Sequence, residues 1–148
     1  MGRQAFVAAL FLVQSLCALV FVSDVFSSMF GIENSALSWE MRELIDWYQW
    51  AKTEKFKHPL ILIANFAFEY LAIHPFQDGN GRTSRLLTNL MLLQSGYAFA
   101  TLVSHEKLIE SSKAEYYLAL NKTQRTWKSE NEDVSPWLLY IFDIFLKQ

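Results

Sequence analysis

The stretch His74-Pro75-Phe76-Gln77-Asp78-Gly79-Asn80-Gly81-Arg82-Thr83-Ser84-Arg85 decides how the chain is read. Its Asp-Gly-Asn-Gly run would suit a hairpin turn, but a hairpin needs alternating strands on both sides, and neither flank alternates. Upstream, Pro59 to Ile73 is almost continuously apolar, broken by Asn65 and Glu69. That run is too long for a typical strand and long enough for a buried helix. Downstream, Leu86, Leu87, Leu90, Met91 and Leu93 keep the three-four spacing of a helix face, and Gly96 stands where a left-handed cap would end it. The stretch therefore joins two helices, the second beginning near Gly81.

That placement makes the charged residues informative. A helix start carries unpaired N–H groups and a partial positive charge, so acidic residues are favoured there; Arg82 and Arg85 run against the preference and call for an anion. Gly79 and Gly81 let the backbone approach a ligand with no Cβ in the way, so free N–H groups can cradle a phosphate. Arg82 and Arg85, three apart on one face, can reach the same group with forked donors. Asp78 is a hard-oxygen ligand suited to a magnesium ion that bridges phosphates. His74, with a near-neutral ordinary pKa, can take a proton from an incoming hydroxyl. These residue types suit transfer of a phosphate-containing group to a hydroxyl.

The run closely resembles the signature of the Fic (Fido) family: His, any, Phe, any, Asp or Glu, Gly, Asn, Gly, Arg, two of any kind, Arg. Here His74, Phe76, Asp78, Gly79, Asn80, Gly81, Arg82 and Arg85 fill every fixed position. The approach through His58-Pro59-Leu60 and the Arg85-Leu86-Leu87 exit are also similar to that family, and the resemblance runs from Leu37 to about Lys147. It implies an all-α Fic-type helical bundle, with a small β-hairpin flap upstream of the signature that clamps a target's main chain. It further implies a protein adenylyltransferase that moves AMP from ATP to a Ser, Thr or Tyr hydroxyl of a target protein, with Mg2+. By that resemblance His74 is the general base, Phe76 anchors the loop and Asp78 holds the metal. Gly79, Asn80 and Gly81 form the anion hole, while Arg82 and Arg85 bind the outer phosphates.

A chain of 148 residues fits one domain with a real core. Its apolar share of 52% exceeds the usual globular value and its charged share of 19% falls below it. A net charge of -2 gives no reason to expect nucleic acid as a partner. Cys17 has no second cysteine to pair with and reads as a buried thiol. The domain organisation expected is a catalytic core over 37–148 preceded by an apolar segment over 1–36. In that segment Arg3 precedes Ala5 to Val22, which is broken only by Gln14 and Ser15 and looks like a signal peptide or a marginal membrane span. The competing readings are a core helix, or foreign residues from an altered gene start, and the need for ATP favours these. A cytoplasmic location is expected, with a membrane-anchored or exported protein as the alternative. Leu19 to Val22 and Met29 to Ile32 are candidate strands of the flap, against an ordinary loop.

Further along, Ser38 suits the N-cap of a helix through about Lys52, with Met41, Leu44, Ile45, Tyr48 and Ala51 on its apolar face and Trp47 and Trp50 widening it. Pro59 suits the first turn of the next helix. Asn65 and Glu69, four apart, read as a buried hydrogen-bonded pair. Ser104 is expected to cap a short helix through Ile109 with His105 on its surface. Ser112 with Glu115 forms a capping-box pattern for a helix from Lys113 to about Gln124, with Ala114, Tyr117 and Leu118 inward. Trp127 to Val134 reads as a charged loop. Ser135 and Pro136 open a last helix with Trp137, Leu138, Ile141, Phe142 and Phe145 on its apolar face.

Many Fic proteins are restrained by a helix reading Ser or Thr, three of any kind, Glu, then Gly or Asn, whose glutamate pairs with the second signature arginine. Thr126-Trp127-Lys128-Ser129-Glu130-Asn131 fits literally, which makes Glu130 an inhibitory candidate against a chance match in a polar loop. Self-association or a partner protein are the other sources of restraint. Within the same fold, transfer of UMP, phosphocholine or plain phosphate, or removal of AMP, are competing activities, and a non-catalytic interaction module is the reading from another class. Other motifs fail. Asp78-Gly79-Asn80 lacks the later positions of an EF-hand loop; His58, His74 and His105 lack zinc-site spacing; and no Gly-x-Ser-x-Gly elbow occurs.

Overall fold

The structure, a computed structural model, describes residues 35–54, 58–101 and 105–147. The chain divides into two compact units, Met1–Ser38 and Trp39–Gln148, and the second holds the signature loop. The described elements are α1 (Ser35–Thr53), α2 (Pro59–Ile73), α3 (Asn80–Gln94), a 3-10 turn (Ala98–Thr101), α4 (His105–Ser111), α5 (Lys113–Gln124) and α6 (Ser135–Lys147). The fold is all-α, with no strand among the described residues. Ala5 to Val22 and both candidate flap strands lie outside those residues. None of the described helices is long and apolar enough to cross a membrane.

The axis of the unit is α2, which packs on α3 and α6 and is buried on nearly every side, from Leu62 and Ile63 through Phe68 and Tyr70 to Ile73. A helix that is apolar all round has no solvent face to present, so it sits inside the bundle. It starts as its sequence demands: Pro59 occupies the first turn, and the Nδ1 atom of His58 accepts the Leu60 N–H at 3.3 Å. Trp137 ties three helices together. Its indole N–H donates to Ala64 O at 2.8 Å, its backbone N–H donates to Thr123 Oγ1 at 3.2 Å, and its ring meets Tyr116 edge-on at 5.6 Å. With 1% of Trp137 exposed, truncation to alanine would cost about 3–5 kcal/mol. Tyr48 meets Phe66 edge-on at 5.3 Å and fastens α1 to α2.

Several expectations about which face turns inward are corrected. On α3 the leucines Leu86, Leu90 and Leu93 are exposed, while Asn80, Ser84, Thr88, Met91 and Leu92 are buried. Ser84 Oγ donates across to Ala67 O on α2 at 3.4 Å and Thr88 Oγ1 donates within α3 to Ser84 O at 2.8 Å, so both hydroxyls can be buried. On α5 the inward residues are Tyr116, Ala119 and Thr123, and Tyr117 and Leu118 face solvent. Ser112 stands at the N-cap of α5 without making a capping bond; its hydroxyl donates to Leu108 O and meets Tyr140 Oη at 2.8 Å. His105 is buried against Phe145 rather than on the surface. Helix α1 begins at Ser35, so Ser38 lies inside its first turn instead of capping it. Glu69 accepts the Trp127 indole N–H at 3.0 Å in place of the expected partner Asn65.

Candidate active site

The signature loop is built by two helix ends that meet. α2 stops at His74, which takes the left-handed conformation (φ 55°, ψ 57°) and closes the helix by donating its N–H to Tyr70 O at 3.1 Å. α3 starts at Asn80 after Gly79, also left-handed at φ 88°. Between them the chain is held by one side chain. Asn80 accepts the Phe76 N–H at 3.0 Å and donates to Phe76 O at 2.5 Å, a reciprocal pair made in a residue only 2% exposed. The Asn80 amide is therefore a brace that fixes the loop, and what it offers a ligand is its backbone N–H.

That brace leaves the first amides of α3 available. Thr83 N–H donates to Gly79 O at 2.9 Å, whereas the N–H groups of Asn80, Gly81 and Arg82 make no hydrogen bond within the described residues. Unpaired donors at a helix start attract an anion. Both signature arginines turn toward this end. A Cβ on Gly81 would lie 3.2 Å from Arg85 Nη1, and one on Gly79 would lie 3.7 Å from Arg82 Nη2, so the guanidinium groups cover the glycine backbone. Arg85 Nε is buried without a hydrogen-bond partner among the described residues, while its Nη2 donates to Glu106 Oε1 at 2.7 Å. A buried, unsatisfied guanidinium N–H is costly unless an acceptor reaches it, which is what a phosphate oxygen would do.

Of the remaining signature residues His74, Asp78 and Arg82 are exposed, and Phe76 is partly buried. Asp78 Oδ1 accepts the Gly79 N–H at 2.6 Å and Oδ2 pairs with Arg82 Nη2 at 3.3 Å, in a contact open to solvent on both sides. Among the described residues, no three His, Cys, Asp or Glu side chains gather closely enough to hold a metal ion. A lone carboxylate beside a phosphate cradle nevertheless fits magnesium, which commonly takes one or two carboxylates and completes its shell with phosphate oxygens and water. His74 Nδ1 lies 3.4 Å from Leu71 O. Because a carbonyl only accepts, this contact favours the tautomer with hydrogen on Nδ1 and leaves the Nε2 lone pair free.

Two features were missed by reading the sequence. Glu106, on α4, neutralises Arg85 across the bundle. Beside that ion pair lies a cavity of about 270 Å3, lined by Ile109, Glu110, Lys113, Tyr116 and Tyr117 together with Arg85 and Glu106. Burial pushes the Tyr116 phenol up to about 12, an effect opposed by the neighbouring Arg85 charge. The KAEYY run at the start of α5 was the signal available, since it sets paired tyrosines behind a lysine. Glu130 is exposed in the turn after α5 and forms no ion pair with the described residues, and Arg85 pairs with Glu106.

A left-handed histidine ending one helix, with a glycine-lined turn opening the next, gives an all-α protein in which two guanidinium groups lie over a helix start. Residues 28–92 match the model of the Fic/DOC family. Over these residues the chain belongs to that family. It is 33% identical over 102 residues to protein adenylyltransferase fic-1 of Caenorhabditis elegans, a match covering 69% of this chain and 18% of that protein. It is 34% identical over 86 residues to the protein adenylyltransferases Fic of Drosophila virilis and Drosophila melanogaster, covering 58% of this chain and 15% of each of those proteins. The chain thus spans less than a fifth of the length of these curated relatives.

Proposed function

We propose that the chain transfers AMP from ATP, with magnesium, to a Ser, Thr or Tyr hydroxyl of a target protein. The observation that carries this reading is the unsatisfied Arg85 Nε beside three unpaired amides at the start of α3. Nε2 of His74 takes the proton of the incoming hydroxyl, whose oxygen bonds to the α-phosphorus. The bond from that phosphorus to the bridging oxygen breaks, and pyrophosphate leaves with its charge held by Arg82, Arg85 and the amides of Asn80 and Gly81. Asp78 would hold magnesium, which when bound neutralises phosphate charge. The cavity beside Arg85 would seat the base, with tyrosine and isoleucine on its walls and Glu106 and Glu110 as acceptors. The names of the adenylyltransferase relatives support AMP as the transferred group and a protein as its acceptor.

The test uses purified protein, magnesium and ATP labelled on either the α- or the γ-phosphate. Label from the α position is expected on a protein hydroxyl, and His74→Ala is expected to lower the rate by about 10²–10⁴ while circular dichroism stays unchanged. Transfer of the γ label instead would make the chain a kinase. An undiminished rate in His74→Ala would remove the imidazole as base.

A further inference from the structure

A second and larger cavity, about 500 Å3, is enclosed by α1, α2 and the turn after α5, and includes no residue of the signature loop. Trp47 and Trp127 contribute aromatic wall, and Leu44, Ile73 and Val134 contribute aliphatic wall. Its charge is one-sided: among the described residues, Glu40, Glu43, Glu69 and Glu132 line it against one cation, Lys128. The acids are graded in depth, Glu43 and Glu132 exposed at the rim and Glu69 partly buried within. They do not gather as a metal-holding group among the described residues.

The protein itself supplies a cation to this wall. Lys128 Nζ lies 4.5 Å from the centre of the Trp127 ring and pairs with Glu40 Oε1 at 2.5 Å. Lys128 also adopts φ 56°, a conformation that residues other than glycine rarely take. Trp127 is oriented for the contact by its N–H bond to Glu69. An ammonium over an indole face with a carboxylate beside it is the geometry of cation–π recognition. Among the described residues Lys128 forms an ion pair with Glu40 alone of the four carboxylates, and it remains largely exposed.

We propose that this cavity is a receptor for a basic side chain of a partner polypeptide, and that Lys128 is a built-in occupant which the incoming cation displaces. The charge complementarity selects a cation, the indoles favour an organic one over a hydrated metal, and the aliphatic wall takes the methylene stem of an arginine or lysine. Glu69 is partly buried, and a carboxylate held partly out of water attracts a cation more strongly than one at the surface. This inference is independent of AMP transfer.

The experiment titrates the full chain, labelled with 15N, with the peptide Gly-Gly-Arg-Gly-Gly and follows the five indole N–H signals of its five tryptophans. A saturable shift of the Trp127 signal is expected, with a dissociation constant on the order of 1 mM. Gly-Gly-Glu-Gly-Gly is expected to leave it unmoved. Replacing the two exposed rim acids, Glu43→Gln with Glu132→Gln, should weaken binding by about fivefold. Lys128→Gly removes both the resident cation and the backbone strain, and should tighten binding by about fivefold. No saturable shift, an equal response to the glutamate peptide, or a Lys128→Gly variant that binds no more tightly would each overturn the proposal.

Discussion

Arg85 on α3 donates to Glu106 on α4 at 2.7 Å, so the second signature arginine is already paired with a carboxylate before any nucleotide arrives. A phosphate must share that guanidinium with Glu106 or displace it. The pair is partly open to solvent, with 21% of the arginine side chain and 64% of the glutamate exposed, which puts its worth at about 1 kcal/mol or less. Glu106→Gln should therefore lower KM for ATP by about two- to fivefold, measured by steady-state labelling. An unchanged or higher KM would mean that Glu106 holds Arg85 in its working position rather than competing for it.

His74 combines a chemical role with a backbone role, and two variants separate them. Its left-handed φ of 55° suits glycine better than any residue with a Cβ. His74→Ala and His74→Gly should be equally inactive, yet the glycine variant should be more stable than the alanine variant by about 1 kcal/mol in urea denaturation. Equal stabilities would show that the loop relaxes once the imidazole is gone.

The loop and its two helices were legible because the signals there are local. Pro59 and Gly96 mark a start and a stop, and Gly96 N–H and Tyr97 N–H bond to Leu93 O and Leu92 O as a left-handed helix cap requires. What could not be read was which face meets which. Spacing on α3 selected the leucines because they are apolar, whereas the buried face includes Ser84 and Thr88, whose hydroxyls bond to backbone carbonyls and so can be buried. Ser112 looked like a cap, but a hydroxyl takes the partner it meets, here Tyr140 across the bundle. The Arg85–Glu106 pair and the Glu69–Trp127 bond join residues far apart in the chain, and periodicity carries no information about such pairs.

Asn80 is expected to matter first for structure. Its two bonds to Phe76 are satisfied inside the protein, so Asn80→Ala removes both of them at a buried position and should cost about 2–3 kcal/mol. Asn80→Asp keeps the acceptor for Phe76 N–H but sets an anionic oxygen against Phe76 O. Its melting temperature should fall at neutral pH and recover on acidification, as the protonated carboxyl regains a donor. A melting temperature independent of pH in Asn80→Asp would show that the aspartate side chain turns out of the loop.

Glu69 should carry a pH signature of the same sign in the parent protein. Burial raises its pKa above the ordinary 4.5, opposed by the Trp127 N–H; Glu132 raises it further, Lys128 lowers it and Glu40 raises it. A carboxyl that holds its proton more tightly folded than unfolded favours the folded state at low pH, and loses that contribution as pH climbs from the unfolded value through the folded one. Glu69→Gln cannot ionise and still offers an oxygen to the indole. Urea midpoints of the two proteins should therefore nearly coincide at about pH 4 and separate as pH approaches 7, with the glutamine variant the more stable. If the parent protein instead gains on the variant over that range, Lys128 and the indole together outweigh burial, and Glu69 acts as a permanent anion in the wall it shares with Glu40.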